Sequence, residues 1–177
     1  MSDSVQDRVK AAPSAAGEEV LDLLLADEQA TVELGRRLGE LLRAGDVVLL
    51  SGELGAGKTV LARGLALGLG VDENYAIVSP SFTLLNVYPG RLAFYHADLY
   101  RLGEDEARDL ELLDQAADGV LAVEWAQRAG SLWPPGCLEI ELKLEGQRQR
   151  RARLAGPARI LKSLAEKDQA AADNLVE

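Results

Sequence analysis

Gly52, Gly57, Lys58 and Thr59 stand at the spacing G-x-x-x-x-G-K-[ST], and residues of those types at that spacing can hold phosphate. Glycines let backbone N–H groups curl round an anion where side chains would not fit. A helix starting at Lys58 turns its positive end toward the same point. In such a loop the lysine ammonium reaches the β- and γ-phosphates, and the threonine hydroxyl ligates Mg²⁺. A dinucleotide fingerprint is excluded, because Gly55-Ala56-Gly57 is followed by Val60 where a third glycine would be needed. The expected ligand is therefore a nucleoside triphosphate. Such a site also needs a carboxylate at a neighbouring strand end. Two acids follow apolar runs, Asp98 after "LAFYHA" and Glu124 after "GVLAV", and periodicity does not divide the work between them.

The elements that must position these groups are legible as alternating patterns. "VLDLLLA" predicts a short strand, and Asp27 an N-cap for a helix over residues 28–43 with Leu34, Leu38, Leu41 and Leu42 on one face. Gly45 ends that helix. "DVVLLS" is a buried-strand run feeding the glycine loop, and residues 58–69 carry Leu61, Leu65 and Leu69 at helical spacing. "SPSFTLLNVY" and "RLAFYHADLY" predict strands about a Pro89-Gly90 turn, and "GEDEARDLELLDQAA" a helix with an acidic first turn. "GVLAVEW" is a further strand. "LEIELKLE" alternates strictly and, with a Glu145-Gly146 turn and "RQRRARL", predicts a hairpin. Strands alternating with helices indicate an α/β sandwich of the P-loop NTPase kind: a mostly parallel sheet, helices on both faces and an antiparallel edge hairpin. The expected organisation is a disordered tail (1–18), one domain (19–156) and a helical or fraying extension (157–177).

Composition narrows the class. The chain has 177 residues, enough for one domain with a substantial core. "EVLDLLLAD" is too short and too interrupted by acids for a membrane helix or signal sequence. A single cysteine, Cys137, excludes an intramolecular disulfide and suits a cytoplasmic protein; it reads as an inert small hydrophobe. The net charge of −10 makes the chain a poor unaided binder of tRNA or DNA.

"GELGAGKT", "SPSFTLL", "YHADLYRL" and "VEW", in this order and spacing, resemble the TsaE (YjeE) family, the ATPases needed to make the threonylcarbamoyl adenosine of tRNA. The resemblance covers about residues 23–154. The family usually reads Asp where Glu53 stands and Thr where Ser81 stands, and both changes keep the functional group. The resemblance implies ATP and Mg²⁺ as cofactors. It implies that Leu54, Gly55, Ala56, Gly57, Lys58 and Thr59, with Gly52 and Glu53 at the loop's start, wrap the phosphates. Thr59 and Glu124 would hold the metal, and Asp98 would be a second catalytic carboxylate near the attacking water. Ser79, Ser81 and Thr83 would sit on a switch-like loop reporting the γ-phosphate. Trp125 would lie beside the site, Leu25 would pack on adenine, and Arg148 at the hairpin turn would touch the nucleotide. The implied partners are TsaB and TsaD, with tRNA reached only through them. ATP hydrolysis would reset that complex.

Other residues have two readings each. His96, the only histidine, is either structural or a hydrogen-bond partner behind Asp98. Trp125 could be plain core, and Tyr100-Arg101 a partner contact or a helix-entry pair. Arg148 and Arg150 share one face of an alternating strand while Arg151 and Arg153 share the other. That split suits a solvated edge strand better than a nucleic-acid patch. A small-molecule P-loop kinase is the alternative function, with the hairpin arginines imitating a lid. A GTP switch lacks support, since no Asn-Lys-x-Asp follows the loop.

Overall fold

A computed structural model describes the backbone of residues 19–173 and side chains through residue 166; the expected tail of residues 1–18 lies outside the described residues. Seven strands form one sheet: β1 (Glu19–Leu25), β2 (Val47–Gly52), β3 (Leu85–Tyr88), β4 (Phe94–Asp98), β5 (Val120–Glu124), β6 (Leu138–Glu145) and β7 (Gln149–Gly156). Their order is β1-β7-β6-β2-β5-β4-β3. The four central strands, β6, β2, β5 and β4, run parallel. The flanking ladders β1–β7, β7–β6 and β3–β4 are antiparallel. This is the expected α/β architecture with one correction. The hairpin is not the edge, because β1 pairs with β7 from Arg150 to Gly156 and takes that place.

Alternation along the central strands divides the apolar side chains between two cores. Val48 and Leu50 of β2 and Val120 and Ala122 of β5 face one core; Leu49, Leu121 and Val123 face the other. The first core is closed by α1 (Glu28–Leu41), α2 (Lys58–Gly68) and α5 (Ala158–Asp173), the last contributing Ile160, Leu161 and Leu164. The second lies under α3 (Glu104–Asp109), α4 (Leu112–Gln115) and a 3-10 segment (Ala126–Leu132). Asp27 caps α1 as expected, its Oδ1 accepting from the Ala30 N–H at 2.8 Å. Helices α1 and α2 meet along glycines: a Cβ at Gly35 would lie 2.4 Å from the Leu61 carbonyl oxygen, and one at Gly64 2.2 Å from that of Val32.

Two expected elements are interrupted. The helix after Gly103 breaks at Glu111, whose φ of 48° is left-handed; the Gln115 side-chain amide donates to the Leu110 carbonyl freed there, at 2.6 Å. The strand expected from residue 79 begins only at Leu85. Before it the chain turns, with the Leu84 N–H donating to the Pro80 carbonyl at 2.7 Å and Leu84 itself at φ 66°. Among the described residues no helix is long and apolar enough to cross a membrane.

Cys137 is buried immediately before β6, and that burial, with the Glu139 carboxylate adding to it, pushes its thiol up to about 11. At pH 8 only about a thousandth of such a thiol is ionised, against about a quarter of one with an unperturbed value near 8.5. A thiol reagent should therefore label native protein more than about 100-fold more slowly than urea-unfolded protein. Comparable rates would show that the thiol is open.

Candidate functional site

The register of the parallel strands brings the acids together. Asp98 and Glu124 are paired across β4 and β5, and Glu124 is paired with Leu50 of β2, two residues before the glycine loop opens. Both carboxylates thus stand at the C-terminal ends of parallel strands, beside the loop that follows β2, where open α/β sheets leave a ligand crevice. Here that crevice is a cavity of about 520 Å³, within the range of small-molecule sites.

The glycines fit the loop to its surroundings. Gly52 has φ 139°, and a Cβ there would lie 2.4 Å from the Leu142 carbonyl oxygen on β6. Gly57, at φ 109°, starts α2 without a side-chain cap, and a Cβ there would press on the Arg150 guanidinium at 2.9 Å. Lys58 is nearly buried. Its Nζ donates to the carbonyls of Gly52 and Glu53, both at 2.8 Å, and lies 4.0 Å from the centre of the Trp125 ring. Burial draws its pKa below the ordinary lysine value, while the charges of Glu124 and Asp98 pull the other way. Trp125 reaches that position because its backbone is left-handed, φ 59°, as the chain leaves β5.

The Thr59 hydroxyl donates to Glu124 Oε1 at 2.7 Å, and His96 Nε2 lies 2.9 Å from the same oxygen. Asp98 accepts the Tyr100 N–H on Oδ1 at 2.8 Å and the Ser79 hydroxyl on Oδ2. Arg150 donates from Nε to the Ala56 carbonyl at 3.1 Å. Among the described residues no three acids, histidines or cysteines could hold a metal by themselves. A threonine hydroxyl touching one carboxylate is instead a partial, all-oxygen set. It fits Mg²⁺, which takes one or two protein oxygens and completes its shell with phosphates and water.

Of the residues singled out from sequence, Leu54, Gly55, Gly57, Lys58, Thr59, Ser79, Ser81, Asp98, Glu124 and Trp125 line this one cavity. Ala56 is buried beneath the loop; Gly52 and Glu53 line an adjoining cavity and offer their carbonyls to Lys58. Three residues lie elsewhere. Thr83 is exposed and donates to the Asn86 side chain. Leu25 is buried at the end of β1, opposite Arg150 in the ladder. Arg148 is exposed at the hairpin turn, its carbonyl accepting from Arg150 at 3.1 Å. The hairpin arginine that lines the cavity is Arg150, and Glu28, Tyr100 and Arg101 line it as well. The face-sharing of Arg148 and Arg150 held the signal for Arg150, and only the pairing with β1 shows where that face looks. His96 stands behind Glu124, not behind Asp98.

The model of the family described as threonylcarbamoyl adenosine biosynthesis protein TsaE matches residues 25–152. A tRNA threonylcarbamoyladenosine biosynthesis protein TsaE from a Nostoc species is 46% identical over 117 residues, 63% of this chain and 71% of that protein. The protein of the same name from Treponema pallidum is 43% identical over 129 residues, 68% of this chain and 91% of its own length. Among solved structures, YdiB of Bacillus subtilis superposes with a TM-score of 0.71 at 29% identity, covering 87% of this chain and 99% of that one.

Proposed function

This chain belongs to the TsaE family, and from that premise we propose that it is a Mg²⁺-dependent ATPase serving threonylcarbamoyladenosine formation on tRNA with TsaB and TsaD. The observation that carries this reading is the meeting of Thr59, Glu124 and Asp98 beside the glycine loop, in one cavity with Lys58. Lys58 exchanges its two carbonyl partners for phosphate oxygens, and the loop N–H groups take the β-phosphate. Thr59 and Glu124 would hold Mg²⁺, which when bound neutralises charge on the phosphates. Asp98, steadied by the Tyr100 N–H and the Ser79 hydroxyl, orients the attacking water. Ser79, in the irregular segment before β3 and bonded to Asp98 in the same cavity, would report loss of the γ-phosphate. The net charge of −10 leaves tRNA to the partners.

The test is reconstitution. TsaB, TsaD, tRNA, ATP and a threonylcarbamoyl donor are incubated with and without this protein, and modified adenosine is counted per TsaD. Its presence should raise the yield several-fold beyond one turnover. Equal yields, with radiolabelled γ-phosphate passing from ATP to a small metabolite, would put the kinase reading in its place.

A further inference from the structure

His96 is fully buried in the middle of β4 and does not itself line the cavity, yet its ring is tied to the carboxylate of Glu124, which does and which Thr59 shares. Nε2 lies 2.9 Å from Glu124 Oε1, whereas Nδ1 is buried with no hydrogen-bond partner at all. Since a carboxylate accepts, Nε2 is the nitrogen that donates to Glu124, and Nδ1 faces no partner. The ring plane is set by stacking: Phe94 lies 5.8 Å away at 18°, and Tyr88 stacks on Phe94 at 6.2 Å and 26°. Oε1 of Glu124 thus receives two donors, from Thr59 and from His96. Oε2 is left as the oxygen to present to a cation.

We infer that His96 is a positioning residue for the metal carboxylate, its Nε2–H holding Glu124 in the rotamer that offers Oε2 to Mg²⁺ when the Thr59 hydroxyl turns away to the ion. Packing alone gives no reason for a polar ring, unsatisfied on one side, in this core; the hydrogen bond to Glu124 is what that ring supplies. Outer partners that orient a ligating group change metal affinity by about 10- to 100-fold when removed. The inference rests on the ATPase reading, and the experiments separate the two.

His96 is the only imidazole in the chain, so its ¹⁵N spectrum contains one ring. The metal-free protein should show the proton on Nε2, with that resonance moving in Glu124→Gln; a proton on Nδ1 overturns the inference. Mn²⁺ affinity is then measured by electron paramagnetic resonance in the presence of a non-hydrolysable ATP analogue, for wild type and three variants. His96→Phe should bind Mn²⁺ about 10-fold or more weakly, while analogue affinity in EDTA stays within about twofold. His96→Gln, whose amide reaches as far as Nε2, should recover most of the loss; His96→Asn, which reaches only as far as Nδ1, should not. If His96→Phe does not fold, the Gln and Asn pair decides: equal Mn²⁺ affinities overturn the inference. Unchanged Mn²⁺ binding in His96→Phe overturns it too. Failure of the wild-type protein to bind Mn²⁺ with the analogue would overturn the ATPase reading and this inference with it.

Discussion

Lys58→Ala should weaken Mg·ATP binding by roughly 10²-fold or more, as read by calorimetry. Each charge-assisted hydrogen bond from the ammonium to a phosphate oxygen contributes about 1.5–3 kcal/mol, and the lysine of such a loop serves two phosphates. The side chain is pre-placed for this: nearly buried, under the Trp125 ring and bonded to two loop carbonyls. Alanine also leaves those carbonyls without their donor, so the comparison requires a variant that still melts cooperatively. A second arm uses pH. Burial holds the free lysine below its ordinary value of 10.5, and only the protonated form attracts phosphate. ATP affinity should therefore be flat at lower pH and fall as pH rises through that depressed value, before the usual lysine range is reached. A Lys58→Ala affinity within a few-fold of wild type would mean that the loop does not grip phosphate.

Gly64→Ala should destabilise the fold by about 3 kcal/mol or more, lowering the melting temperature by at least about 6 °C for a chain of this size. On an exposed helix the same change would gain up to about 1 kcal/mol. Here the new methyl would lie 2.2 Å from the Val32 carbonyl oxygen and 2.9 Å from the Gly35 Cα. Both obstacles are backbone, so no rotamer change relieves them and the helices must part. Because α2 also carries Lys58 and Thr59, nucleotide affinity should drop with stability. Gly103→Ala is the control: a Cβ there meets nothing closer than 3.8 Å, and the cost should stay under about 1 kcal/mol. A Gly64→Ala melt within two degrees of wild type would show that the helices do not touch as described.

The features legible in sequence are those fixed by local rules. The glycine loop, its flanking strand and helix, the Asp27 cap and the strictly alternating "LEIELKLE" each depend on neighbours a few residues away, and each is found where expected. What was not legible depends on distant partners. Arg150 reads as edge charge until β1 is seen to cover β7. The break at Glu111 interrupts a good helical pattern because the second core, not helix propensity, sets where Ala107, Leu112 and Ala116 must lie. The strand expected from residue 79 is a loop because Ser79 and Ser81 are turned into the cavity. The glycine contact had a visible signal, since Gly35 and Gly39 repeat every fourth residue and so do Gly64 and Gly68. Four small residues on two helices become informative only when those helices are known to be neighbours.

The pairing of β1 with β7 also has a consequence for the order in which the protein is made. β1 is the first described strand to leave the ribosome, and its only partner in the sheet is the last strand, more than a hundred residues later. Closing so long a loop adds little to the final cost but must wait until both ends exist. The glycine loop and α2 are therefore synthesised well before the strand that brings Arg150 to the Ala56 carbonyl. Until residue 156 has emerged, a nascent chain can hold a phosphate loop and both acids while β1 remains without its ladder. The sheet is completed, and the cavity walled on that side, only as the final strand is delivered.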